Sequence, residues 1–428
     1  MLNRYALQVT LLINYLLVIY AFLLPFNIHL SNTIFNFILI LFLFSGNLKE
    51  KLLYALKHKV VQALFLFYIM YILWSVNSQH IDIVIWKLKE FKYLFSIIII
   101  LSILKDNFKL KILNAFIFSV FISILISYTM KFNVHLPYIK ITGYGQLTPF
   151  FYTYSQYVLL ILIAVNMTLY KIIENQFKSF FLKNFYYTFY ILGSLLIFLL
   201  DSKIGYILFI ITQILTFAHT VQTTFNKKFI LSSLLIAFLG IFILFYNSHT
   251  FHTRMSNLYN ETINAIMHQQ YNGSTGKRFA WDIIGFKIYL EKPIIGHGTQ
   301  SHIDLAIHSI ENSNMTQKKK KDLLSFRNIQ TPALQTLHNE YLDHLIEFGI
   351  IGLFILLNIF YSIYKEKAQT KELRLLKFLL LIVFMIYMFV NYFFVLSQLG
   401  KVFFLLISLT LVSYENYSQK QKGSLDAN

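Results

Sequence analysis

Long apolar runs recur from one end of the chain to the other, as at Leu7 to Leu24, Val61 to Leu73 and Leu375 to Phe394, with short lysine-bearing connections between them. Runs that stay apolar on every face predict helices surrounded by lipid or protein, whereas a β-barrel would show short segments of strict alternation. The pattern predicts an all-α polytopic membrane protein of about twelve transmembrane helices. They fall near residues 7–25, 32–45, 60–76, 91–104, 112–129, 149–170, 186–200, 204–218, 229–246, 349–364, 375–394 and 401–414. Several are shorter than the roughly 20 residues needed to cross hydrocarbon, so they draw on flanking Tyr, Trp and Lys at the interfaces. The first run follows Arg4 without a small-residue cleavage pattern and reads as a retained anchor.

One polar stretch breaks the pattern. Residues 247–348 form a large loop that contains short helices, and they divide the chain into spans one to nine (1–246) and spans ten to twelve with a short tail (349–428). The lysines between the remaining runs cluster on alternate connections, with Lys87, Lys89 and Lys92 as the main exception: Lys49, Lys51, Lys57 and Lys59 after the second span, Lys105, Lys109 and Lys111 after the fourth, Lys365, Lys367 and Lys371 after the tenth. The positive-inside rule makes those connections cytoplasmic, places both termini inside and puts the large loop outside. The net charge of +18 is therefore a topological signal and not a nucleic-acid surface. Hydrophobic residues make up 57% and charged residues 13%, which leaves little for a soluble domain outside the loop, and the absence of cysteine excludes disulfides and thiolate metal sites. No internal repeat of the kind that marks many transporters is visible.

Within the loop, Arg278 to Tyr289 has the spacing of an amphipathic helix, with Phe279, Ile283, Phe286 and Leu290 near one another and Arg278 and Asp282 one turn apart. Gly296-His297-Gly298 supplies a tight turn. A second helix is expected from Thr331-Pro332, carrying His338, Tyr341, Leu342 and Leu345 on one stripe into the tenth span at Gly349. The chain has only five arginines, and three of them, Arg254, Arg278 and Arg327, fall in this loop. Arginine grips phosphate oxygens with two parallel N–H bonds and stays charged where water is scarce, so a lipid-borne phosphate or diphosphate is the anion that suits this depth. A plain i,i+4 pair with Asp282 is the alternative for Arg278. Asp201-Ser202-Lys203 sits between two apolar runs, where ionisable residues are costly and often functional. No His-Glu-x-x-His spacing points to a metal.

His338-Asn339, nine residues, then Gly349-Ile350-Ile351-Gly352 fits the H-[NSQ]-x9-G-x-x-G pattern, and Arg278 followed by Trp281 and Pro293-x-x-Gly296-x-Gly298 fits a second loop signature. In these residues, and in twelve spans with one large loop between the ninth and tenth, the chain resembles the bacterial O-antigen ligases, members of the ligase, polymerase and oligosaccharyltransferase superfamily. It departs from them at Ser202-Lys203-Ile204-Gly205, where the superfamily commonly has arginine in the place of Lys203. The charge is kept and the bidentate fork is lost.

The resemblance implies transfer of a glycan from undecaprenyl diphosphate to the lipid A core at the periplasmic face of the inner membrane. The partners are then those two lipid-linked molecules and the membrane lipids, with no nucleic acid. His338 would take or orient the acceptor proton, and Arg278, joined by Lys203 and Arg254, would neutralise the departing diphosphate. A diphosphate leaves readily, so no cofactor or metal is called for, and a single displacement inverts the anomeric centre. Trp281 is expected to support the site, Asn339 to orient the imidazole or cap a helix, Gly349 and Gly352 to allow close packing, and His344 to face away. A polymerase of the same superfamily is the nearest alternative, against which the short connection from Lys131 to Thr148 speaks. A lipid-linked sugar transporter is the other, and it would need more polar groups at mid-membrane than the spans offer.

Overall fold

In hydrocarbon the only partners for a chain's backbone N–H and C=O groups are its own, which is why apolar runs close into helices. The computed structural model describes residues 2–134, 147–150, 153–175, 177, 179–200, 202–221, 249–268, 270–325, 335–415 and 417–418. Among these the regular structure is helical, with no strand. The helices are α1 (Leu2–Leu23), α2 (Ile28–Phe42), α3 (Leu48–Lys57), α4 (Lys59–Trp74), α5 (Ile81–Glu90), α6 (Ser96–Ile103), α7 (Asp106–Lys131), α8 (Tyr154–Ile173), α9 (Phe180–Leu199) and α10 (Lys203–Val221). After them come α11 (His249–His268), α12 (Gly273–Glu291), α13 (His302–Glu311), α14 (Gln317–Leu323), α15 (Glu340–Lys365), α16 (Lys371–Tyr387) and α17 (Ser397–Thr410).

Six described helices are long and apolar enough to cross a membrane: α1 from Arg4, α7, α8, α9, α10 to Thr220, and α15. The pair α3 and α4, bent by 74° at His58, would add a seventh, and α2 and Gln398–Thr410 are shorter apolar helices. The protein is thus a polytopic, all-helical membrane protein. Of the twelve runs expected, the one at 229–246 lies outside the described residues. The run expected at 91–104 begins as a 3-10 turn, Phe91–Phe95, and only then becomes α6.

Helix α8 sits at the centre. Every residue from Tyr157 to Lys171 is buried, as a helix apolar on all faces requires, and it packs against α9, α10 and α16. Its one buried amide, Asn166, is matched by Thr212, Gln213 and Thr216 of α10. On the other side α15 packs on α4 and on α12, which brings the loop down onto the membrane-spanning body. The loop helices have a small core of their own, built on Trp281, Ile284, Ile288, Ile303, Leu342 and Ile346.

Helix α12 is longer than the sequence predicts, and the stripe it buries is Ala280, Trp281, Ile284 and Ile288. Ile283, Phe286 and Leu290 of the expected stripe remain exposed. The second loop helix is corrected more sharply. Its expected start at Thr331-Pro332 lies outside the described residues, but His338 is not helical: it takes a left-handed φ of 62°, and α15 begins only at Glu340. The physical reason is the next residue. Asn339 adopts an extended conformation (φ −142°) and caps α15 by accepting the Leu342 N–H at 3.3 Å, which fixes the helix start after it.

Candidate functional site

The two glycine motifs of the loop meet each other. Helix α15 is interrupted at Gly349 (φ 64°, ψ −162°), and the segment Pro293 to Gly298 crosses it at that break. His297 N–H donates to Ile346 O at 2.9 Å, Gly298 N–H to Glu347 O at 2.9 Å and Ile350 N–H to Pro293 O at 2.9 Å. A Cβ on Gly349 would overlap the Ile294 carbonyl, and one on Gly296 would overlap the Glu347 carbonyl, so the crossing needs glycine on both segments. The close packing expected of Gly349 is therefore between backbones. Gly352 lies under the Phe348 side chain, which fills the space a Cβ would occupy.

This crossing presents the turn before α15 to α12. The His338 imidazole stacks on the Trp281 indole, ring centres 5.3 Å apart and 28° between planes, while the indole N–H is fixed on Leu323 O at 2.9 Å. Burial, and then the nearby Arg278 guanidinium, lower the His338 pKa to about 4 against the opposing hydrogen bond with Asn391, so the ring is neutral near pH 7. Its Nδ1 is buried with no hydrogen-bond partner. Asn339 has a second task besides its cap: its amide donates to Asp282 Oδ1 at 3.0 Å. Of the two roles expected for Asn339, capping is the one observed.

Beside this turn lies a cavity of about 280 Å³ lined by Lys203 of α10, Arg254 of α11, Arg278 and Asp282 of α12, Tyr387 at the end of α16 and Asn391 just beyond it. Three cations far apart in sequence thus face one space. Arg278 keeps its buried Nε without a hydrogen-bond partner, and among the described residues no ion pair joins it to Asp282, so the simple i,i+4 pairing is not what holds it. Lys203 is different. Its ammonium bonds Glu261 Oε2 at 3.0 Å and Thr275 Oγ1 at 2.9 Å. The bonds that Thr275 and Lys203 give to Glu261 outweigh its burial and hold its carboxyl below the usual range.

Arg327 and Asp201 lie outside the described residues. His344 does face away: its ring meets Tyr71 OH at 3.3 Å and Glu340 O at 2.8 Å, on the far side of α15. Sequence reasoning missed Glu261 as a partner of Lys203, and Asn391 and Tyr387 as walls of the cavity. Nothing local marks them, because each reaches the site from a separate part of the chain.

A search of curated proteins finds no match to the chain. Residues 188–357, the stretch that contains Lys203, Arg254, Arg278, Trp281, His338, Asn339, Gly349 and Gly352, match the family model described as O-antigen ligase.

Proposed function

We propose that the protein transfers a glycan from undecaprenyl diphosphate to a sugar of the lipid A core at the periplasmic face of the bacterial inner membrane, with both termini cytoplasmic. The observation that carries this reading is the single cavity lined by Lys203, Arg254 and Arg278 beside the neutral His338 ring. The donor's diphosphate sits among these cations. As the acceptor oxygen attacks the anomeric carbon, the bond from that carbon to the diphosphate oxygen breaks and charge grows on the leaving group. Fixed cations act best at that moment, because they are already oriented and need no reorganisation. His338, held by Trp281, meets the acceptor hydroxyl as a neutral imidazole that accepts its hydrogen bond. Attack from the face opposite the diphosphate inverts the anomeric centre.

The test uses purified full-length protein with undecaprenyl-diphosphate glycan and, separately, lipid A core or further glycan units as acceptor. Lipid A core should gain sugar, and His338→Ala should insert and fold normally while transferring ~10²-fold more slowly, the scale for a misplaced acceptor hydroxyl. Extension of glycan units alone would make the protein a polymerase. Movement of donor across vesicles with unchanged behaviour in His338→Ala would make it a transporter.

A further inference from the structure

His338 is well placed to orient a hydroxyl but poorly suited to keep its proton, since burial and Arg278 let the ring hold one only below about pH 4. His338 does not itself line the cavity and reaches it only past Arg278 and Asn391, whereas a second group on the cavity wall has no such handicap. Asp282 lines the cavity one helical turn from Arg278. Its Oδ1 is occupied by the Asn339 amide, while no hydrogen bond reaches Oδ2 among the described residues. Asn339 is the residue after His338, so one short turn fixes both the imidazole and the carboxylate.

Resting on the transfer reaction above, we propose that Asp282 is the catalytic residue that receives the proton of the acceptor hydroxyl, with His338 orienting that hydroxyl. The step balances simply. The acceptor oxygen uses a lone pair to form the new glycosidic bond, the anomeric carbon–diphosphate bond breaks with its electrons going to the diphosphate, and the proton passes to Asp282 Oδ2 and from there to water. The surroundings suit the task. Burial raises the Asp282 carboxyl to about 6, the Asp343 carboxylate of α15 adds to that, and the Asn339 hydrogen bond and Arg278 hold it from rising further. Lys203 of α10 and Arg254 of α11 line the same cavity, as does Tyr387 of α16, and His338 is neutral. The carboxylate is thus charged above about pH 6 and loses its charge as pH falls through that value, where a proton acceptor is most effective if its pKa lies near the working pH.

The experiment measures initial rates against pH for full-length protein in detergent, with a synthetic undecaprenyl-diphosphate disaccharide and whichever acceptor the wild type glycosylates. Wild type should lose rate on the acid side with an inflection near pH 6. Asp282→Asn, which can still accept from Asn339, should fold normally, bind donor with similar KM and show kcat lowered ~10²–10⁴-fold without that acid limb. Asp282→Glu should recover part of the rate together with the limb. His338→Gln should be slower but keep the limb. Wild-type rate and limb in Asp282→Asn, or loss of the limb in His338→Gln alone, overturns the assignment while transfer itself stands. A wild type that glycosylates no acceptor overturns the functional reading, and the assignment falls with it.

Discussion

Two groups of ionisable side chains flank the first turns of α15, and they are built on opposite plans. On one side the buried His302, Glu347, Asp343 and Lys87 crowd a cavity of only about 20 Å³. Glu347 Oε1 takes His302 Nδ1 at 2.6 Å, the Gln300 N–H at 2.8 Å and Lys87 at 4.0 Å, and the Thr336 hydroxyl donates to Asp343. Burial, which favours a neutral His302, is outweighed by Asp343 and Glu347, so its pKa is raised. On the other side Lys203, Arg254 and Arg278 share a cavity of about 280 Å³ with the Asp282 carboxylate. Charges of both signs that satisfy one another are scaffold; an excess of one sign around open space is suited to an anion that enters.

The sharpest way to break this contrast is at Glu347. Removing one partner of a buried charge pair leaves the others unmatched, so Glu347→Ala should lose about 3–5 kcal/mol of stability. It should melt far below wild type in detergent, with transfer lost as a consequence, and a wild-type melting curve would refute the scaffold role. Arg278→Ala should do the reverse: melting unchanged, and transfer down ~10²–10³-fold, with Arg278→Lys recovering only part because the bidentate fork is missing. Loss of stability in that variant would move Arg278 to the scaffold side. Lys203→Ala should have the smallest effect, about tenfold or less in transfer rate, roughly one 1.4 kcal/mol step. Glu261 already matches much of its charge, and a loss as large as that of Arg278→Ala would show the lysine to be the principal cation.

The scaffold can be read from the sequence where a helix is long and apolar, as in α7 and α8, because hydrocarbon imposes helix on any such run. It is less legible where the helices are short: the bend between α3 and α4 and the 3-10 turn before α6 depend on neighbours that no local pattern encodes. The candidate site divides the same way. The gathering of Arg278 and His338 follows from the loop motifs, but the left-handed turn at His338 does not, because the apolar stripe after it continues the helical spacing backwards past the true start. In the sequence Asp282 looks like a surface partner for Arg278. Only packing shows it bonded to Asn339 instead, and Glu261 against Lys203 likewise joins residues 58 apart in the chain.

The backbone crossing at Gly349 bears on how far above the bilayer the reactive groups stand. Because Pro293 and Gly298 are tied to α15 through carbonyls and amides, Ile294, Ile295, Ile350 and Ile351 can change to other apolar residues without altering the elevation of the turn that carries His338. For a reactant suspended from a lipid tail, whose height is set by its own chain, a catalyst whose crossing is tied through main chain keeps its reach constant while those four side chains drift.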